Sequence, residues 1–383
     1  MLNRLWLGLT GWAVTALLAY PQLFYVHKYG IPWSGQNDFR SYHAMVLDPW
    51  RFDIAPVVFT LRQFTTLVAH GLLSLGVRFP VEIWFDHFLE FNGAVYRRDV
   101  FFSLLLTNFL GVCTAGGVIY AMAAQGDRWR RGVISPIGLA TIMLLLLSGN
   151  TLFYALGPLT EGWSWAFAPL LLLLAEQRRL QAYLGLVLLL AVSIFQREML
   201  LLVVAGWAVA RIGWPYVLGQ RLSRGEVRHW LLVLALACAA AGLYLALRSG
   251  HFFAVTDPYR HQWNPVGYWM SGRGMNRMRH FLHQWSMLAG LLKLNSFGLW
   301  LACALAALWY WRADKRLQVE LLSLLTLAAG LFATALLTYI TAVDRVVMFI
   351  APLYMLSLAR LGARWLGGAP EADGMKASQP GGL

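Results

Sequence analysis

Long apolar runs alternate with short polar connections along this chain, and the lengths of the runs carry the first inference. The hydrocarbon of a bilayer is crossed by roughly 20 predominantly apolar residues. About ten stretches approach that length, near 5–26, 100–124, 133–149, 163–176, 180–195, 199–214, 229–248, 295–311, 317–340 and 346–362, with the fourth, fifth and sixth short. The pattern predicts an all-α fold over residues 1–365, a polytopic membrane helical bundle of about ten transmembrane helices. Two connections are long, 27–99 and 249–294.

From Pro56 to Val77 the polar residues Gln63, Thr66, His70 and Ser74 recur every three or four positions, among Leu61, Phe64, Leu67, Val68, Leu72 and Leu75. That spacing predicts an amphipathic helix lying along the membrane interface. A second such helix is predicted at 281–293, where Phe281, Trp285, Leu288 and Leu292 share a face. Composition agrees with the pattern: 59% of the 383 residues are apolar and 13% are charged, more apolar surface than one soluble core hides. Cys113, Cys238 and Cys303 all fall inside predicted spans and read as packing residues. The first apolar run is long and lacks a small-residue cleavage site, so it reads as a retained first helix. Residues 366–383, rich in Gly, Ala and Pro, read as a disordered cytoplasmic tail.

The formal charge of +13 divides into two parts. Short connections carrying Arg128, Arg130 and Arg131, then Arg178 and Arg179, then Arg221, Arg224 and Arg228, then Arg312, Lys315 and Arg316 alternate with connections poorer in cations. The dense ones are expected in the cytoplasm, which puts both termini inside and both long loops outside. The remaining arginines, among them Arg40, Arg62, Arg197, Arg273, Arg277, Arg279 and Arg345, then map to the outer side against the usual bias. A guanidinium's rigid fork suits phosphate oxygens. On that face a lipid-linked phosphate is the expected partner, and a nucleic acid is not; for any single arginine, a headgroup contact or a pair with Glu82, Asp86, Glu90 or Asp99 explains it as well.

Several short stretches lie at predicted outer helix ends: Gln-Asn-Asp-Phe-Arg-Ser-Tyr at 36–42, Ala-Pro-Val-Val-Phe-Thr-Leu-Arg at 55–62, Phe-Gln-Arg-Glu-Met-Leu-Leu at 195–201 and Asp-Arg-Val-Val-Met-Phe-Ile-Ala-Pro at 344–352. With an acidic residue close after the first span, an interfacial helix and helices of uneven length, the chain resembles the GT-C superfamily of membrane glycosyltransferases. The resemblance implies a polyprenyl-phosphate-linked sugar donor, a glycan, lipid or protein acceptor, and a place in the bacterial inner membrane with the active site facing outward, in the making of envelope polysaccharide. It puts the catalytic base on Asp38. Many relatives have a second acid there, whereas Phe39 and Arg40 follow here, which is a poor hard-cation site. No cofactor is required by the sequence; a divalent cation stays open if Asp48 or Asp53 folds back.

Arg345 and Arg197 are the foremost phosphate candidates, with Arg40 and Arg62 beside them, and a structural ion pair between Arg197 and Glu198 is an equal alternative. Glu161, Glu198 and His70 are accessory candidates, Glu161 either near the donor lipid or as a solvated turn residue. The outer histidines have no zinc-site spacing. Two other classes stay open. A polymerase or ligase of lipid-linked polysaccharide would rest on arginines and a histidine, with Asp38 dispensable. A flippase for lipid-linked saccharides would carry charges at the bilayer midplane and related halves, and no internal repeat is visible.

Overall fold

A computed structural model describes residues 2–29, 36–51, 61–77, 88–91, 94–125, 127, 129–147, 155–157, 160–248, 296–337 and 348–366. Twelve α-helices run through them: α1 (Leu2–Tyr29), α2 (Gln36–Leu47), α3 (Gln63–Ser74), α4 (Arg98–Ala123), α5 (Pro136–Leu147), α6 (Glu161–Ala175), α7 (Leu180–Ile194), α8 (Met199–Val217), α9 (Arg224–Arg248), α10 (Ser296–Tyr310), α11 (Lys315–Leu337) and α12 (Ala351–Leu366). Each apolar stretch read from the sequence coincides with one of these helices, displaced by a few residues at its ends. Five of them, α1, α4, α8, α9 and α11, are long and apolar enough to cross a membrane. α5, α6, α7 and most of α10 are apolar but shorter.

The bundle is organised around α4, which is buried along most of its length and packs on α1, α3, α5 and α6. Small residues let α1 and α4 approach backbone to backbone. A Cβ at Gly117 would stand 2.7 Å from the Gly8 carbonyl, and one at Gly116 would run into Thr15. Such a stripe is how helices pack where no hydrophobic drive separates a neighbour from lipid. The outward faces agree with that environment: Leu17 on α1, Leu188 on α7, and Leu231 and Leu243 on α9 are exposed large apolar side chains on helices that a water-soluble bundle would cover with charge.

Helix direction sorts the connections into two ends. Glu176 and Arg178 of one connection, Gln220 and Leu222 of the next and Arg316 at the start of α11 line one cavity, together with Met122 near the C-terminal end of α4 and Leu353, Leu356 and Arg360 of α12. The first residues of α6 and α8 and the last of α9 gather at the other end, with α2 and α3.

Two expectations for the first long connection change. A two-stranded antiparallel hairpin pairs β1 (Phe88–Phe91) with β2 (Ala94–Arg97), Phe88 opposite Arg97, in a stretch expected to be loop. The Asn92-Gly93 dipeptide between two short aromatic runs is the signal that would have found it. The amphipathic helix is present as α3, but the first half of its polar stripe points inward, while Ser74 at its end is exposed. Gln63, Thr65 and Thr66 are buried against the protein, while Leu75 is exposed. The reason is local: Thr65 finds Gln196 in the turn between α7 and α8, and Thr66 donates to Gln63, so groups that an apolar contact would strand are satisfied. Residues 249–294, with the helix expected at 281–293, and the tail beyond Leu366 lie outside the described residues.

Candidate functional site

Most buried polar groups at the second end converge on the turn that links α7 to α8. α7 stops at Phe195, and Gln196 and Arg197 both donate backbone N–H groups to Ser193 O, at 3.1 and 2.9 Å. This tight reversal turns three successive polar side chains, Gln196, Arg197 and Glu198, toward neighbouring helices before α8 begins. α3 docks onto the same turn, because Phe64 N–H, one of the donors a helix start leaves unsatisfied, finds Phe195 O at 2.9 Å. Thr65 Oγ1 donates to Gln196 Oε1 at 2.8 Å, and Gln196 Nε2 donates to Ser164 Oγ at 3.2 Å and to the Thr160 carbonyl.

Glu161 opens α6 and is fully buried. One of its carboxylate oxygens accepts Thr160 N–H at 2.9 Å, and the other pairs with Arg197, which is itself buried. A carboxylate at a helix start sits in the favourable end of the helix dipole. Asn108 on α4 fixes that start in place, donating to Gly157 O at 2.8 Å and accepting Gly162 N–H at 3.1 Å. The approach is close enough that a Cβ on Gly111 would meet Gly162 C at 2.6 Å, so only glycine fits at the crossing.

Arg62 completes the cluster from the start of α3. It is buried, donates to the Tyr42 hydroxyl at 2.9 Å and pairs with Glu198 at 3.5 Å. The Tyr42 hydroxyl also accepts Thr160 Oγ1 at 3.5 Å. On α9, Arg248 donates to Tyr244 at 2.9 Å and bears on Glu198 through its charge. Burial by itself would raise the Glu198 carboxyl, but the guanidiniums of Arg62, Arg197 and Arg248 outweigh it and hold the carboxyl below its ordinary value. Glu198 is therefore a fixed anion, and Phe349 lies beneath the Arg197 guanidinium at 5.8 Å.

Asp38 lies in the first turn of α2, half-buried, rather than in a loop. Residues four apart share a helix face, so Asp38 stands one turn before Tyr42, the residue that touches Arg62. Arg40 lies on the other, exposed side of α2 and does not join the cluster. Arg197 pairs with Glu161, not with its neighbour Glu198, because the reversal aims the two side chains at different helices. Burial likewise excludes the solvated-turn reading of Glu161. His70 is tied to α2 through Nδ1 and Val46 O at 2.7 Å and to Ser74 at 3.4 Å, a fastening of α3 to α2 apart from the cluster. Arg345 lies outside the described residues.

Sequence reasoning missed Tyr42, Thr160, Gln196, Asn108 and Arg248. Two were legible: Tyr42 follows Asp38 by one turn, and Arg248 is the lone charge ending an apolar run. Asn108 gave no signal, since a buried asparagine inside an apolar helix looks the same whether or not it clamps another helix.

Among the described residues no group of His, Cys, Asp and Glu side chains converges as a metal site. The two glutamates of the cluster face guanidiniums, which already neutralise them, so the arrangement does not fit a hard cation. What it fits is an oxyanion held by several guanidiniums, with carboxylates setting their orientation. Comparison with protein-family models, curated proteins and solved structures finds no match for this chain.

Proposed function

We propose that the chain is a multi-pass glycosyltransferase of the bacterial cytoplasmic membrane, similar in plan to the GT-C enzymes. All ten of its apolar helices would cross or enter the bilayer, with the arginine-dense connections inside and the Arg62–Arg197 cluster at the outer face. It would move a sugar from a polyprenyl-phosphate donor to an acceptor hydroxyl.

One observation carries the reading: three arginines bear on one half-buried carboxylate, Glu198, at a single end of the bundle, and Tyr42, which Arg62 touches, lies one helical turn after Asp38. In the proposed step the acceptor oxygen attacks the anomeric carbon and its proton passes to the Asp38 carboxylate. The bond from that carbon to the phosphate oxygen breaks, and its electron pair leaves on the phosphate. Arg62, Arg197 and Arg248 would stabilise the growing charge, and Arg345 is expected to join them. A flippase is less well supported, because the buried charges among the described residues, Arg62, Arg98, Asp127, Glu161, Arg197 and Arg248, all lie at helix ends and not at mid-span.

The test is release of polyprenyl phosphate from a panel of polyprenyl-phosphate sugars by the purified protein. Asp38→Asn should lower turnover roughly 10²- to 10⁴-fold while donor binding persists. Unchanged turnover in Asp38→Asn, with loss in Arg197→Lys, would instead favour a polymerase or ligase. No release with any donor, by a folded protein, would overturn the proposal.

A further inference from the structure

The arginine-dense end holds a cavity of about 520 Å³, far from the cluster around Arg197. Four arginines line it, and three of them are matched. Arg178 pairs with Glu226 at 3.0 Å, Arg211 with Glu176 at 2.9 Å, and Arg360 with Glu320 at 3.3 Å. Arg211 is further fixed between the Trp207 and Trp230 rings, 5.6 Å from each, and the Trp207 indole N–H donates to Glu176 at 2.9 Å. Arg316 is different: it lines the same cavity, is exposed, and its guanidinium has no hydrogen bond or ion pair with a described residue. The cavity thus carries one more arginine than it has glutamates to match.

A second space adjoins it. A groove of about 730 Å³ runs between α1 and α4, and Met122 and Leu173 are walls of both. Leu9, Trp12, Val118 and Ala121 make it apolar along its length, while Arg4 and Gln125 lie at the end shared with the cavity. Arg4, like Arg316, is exposed and makes no ion pair with a described residue. A cationic chamber joined to an apolar trough at the same depth of the bundle matches an amphiphile with an anionic head.

We propose that this cavity and groove bind an anionic glycerophospholipid of the leaflet at the arginine-dense end, its phosphate beside Arg316 and one acyl chain between α1 and α4. Basic pockets between membrane helices hold anionic headgroups through their unmatched cations. A zwitterionic choline head would bring its ammonium against the arginines. The inference does not depend on sugar transfer, since none of its residues belongs to the Arg197 cluster.

Delipidated protein, titrated with phosphatidylglycerol or phosphatidylcholine and examined by native mass spectrometry, tests it. Phosphatidylglycerol should be retained preferentially. Arg316→Gln and Arg4→Gln should each weaken retention about fivefold, the ratio that roughly 1 kcal/mol per surface cation corresponds to. Val118→Trp should also weaken it by filling the groove, and Ala121→Leu serves if that variant does not fold. Equal retention of the two lipids would overturn the proposal, as would binding of glycerol phosphate alone as tightly as the whole lipid. Stronger retention of a polyprenyl phosphate would overturn the choice of lipid.

Discussion

Replacing Glu161 by Gln should cost this protein several kcal/mol, far more than the loss of any exposed ion pair. The side chains of Arg197 and Glu161 are 6% and 0% exposed. Glutamine keeps the size of the side chain and can still accept Thr160 N–H, so the change isolates the charge. It leaves the Arg197 guanidinium buried without its anion, and breaking one side of a buried pair costs about 3–5 kcal/mol. The dipole of α6 adds roughly 0.3–1 kcal/mol, because Glu161 is its first residue. Removing Arg97 from the exposed Arg97–Asp99 pair, where the side chains are 49% and 25% exposed, is the control, and it should cost about 0–1 kcal/mol.

The buried Cys113 thiol gives the assay. With Cys238 and Cys303 replaced by Ala, a thiol-reactive dye should report heat unfolding in detergent as Cys113 becomes accessible. A shift of about 2 °C per kcal/mol, the low end for large domains, puts Glu161→Gln roughly 7–12 °C below the parent. The double variant Glu161→Gln, Arg197→Gln should recover much of that loss, since it removes the stranded charge along with its partner. A single variant within about 1 °C of the parent, or a double variant whose loss equals the sum of both singles, would refute the reasoning.

Other outcomes follow from the same geometry. Gly116→Val should destabilise the bundle by about 1–3 kcal/mol in the same assay, because its Cβ would collide with Thr15, and Thr15→Gly should restore part of the loss. His43 accepts Arg97 N–H at 3.2 Å, and burial, then the Arg97 guanidinium, pushes its ring down from 6.5 to about 4. Between those values the unfolded chain binds the proton that the folded chain refuses, so stability should fall as pH drops from 6.5 to about 4. The slope should stay under about 1.4 kcal/mol per pH unit, and His43→Gln, which keeps an acceptor, should flatten it in thermal melts across that window.

The division of labour between charged ends and apolar middles also bears on how the two sites are built. In the Arg197 cluster, Glu161 on α6, Glu198 in the α7–α8 turn and the hydroxyls of Tyr42 and Tyr244 orient the guanidiniums. Pre-set donors of that kind stabilise a developing charge without reorganising as it forms. The opposite cavity and its groove keep Arg316 and Arg4 exposed and without an ion pair to a described residue, which suits a ligand that exchanges with the bilayer.

Helix existence was legible because the apolar run is a local signal: length and composition state whether a segment can satisfy its own backbone away from water. For the same reason the end-sorting of the arginine-dense connections followed from counting alternate crossings. Side-chain partners were not legible in this way. That Arg197 faces Glu161 while Glu198 faces Arg62 depends on a reversal one residue long, and no periodicity records it. The inward turn of the polar face of α3 was hidden because amphipathicity gives two faces and not which one meets protein. Asp38, Arg62 and Arg197 were visible as separate charges near helix ends. Only tertiary structure brings Arg62, Arg197 and Arg248 to bear on Glu198, because that cluster is assembled from helices far apart in sequence.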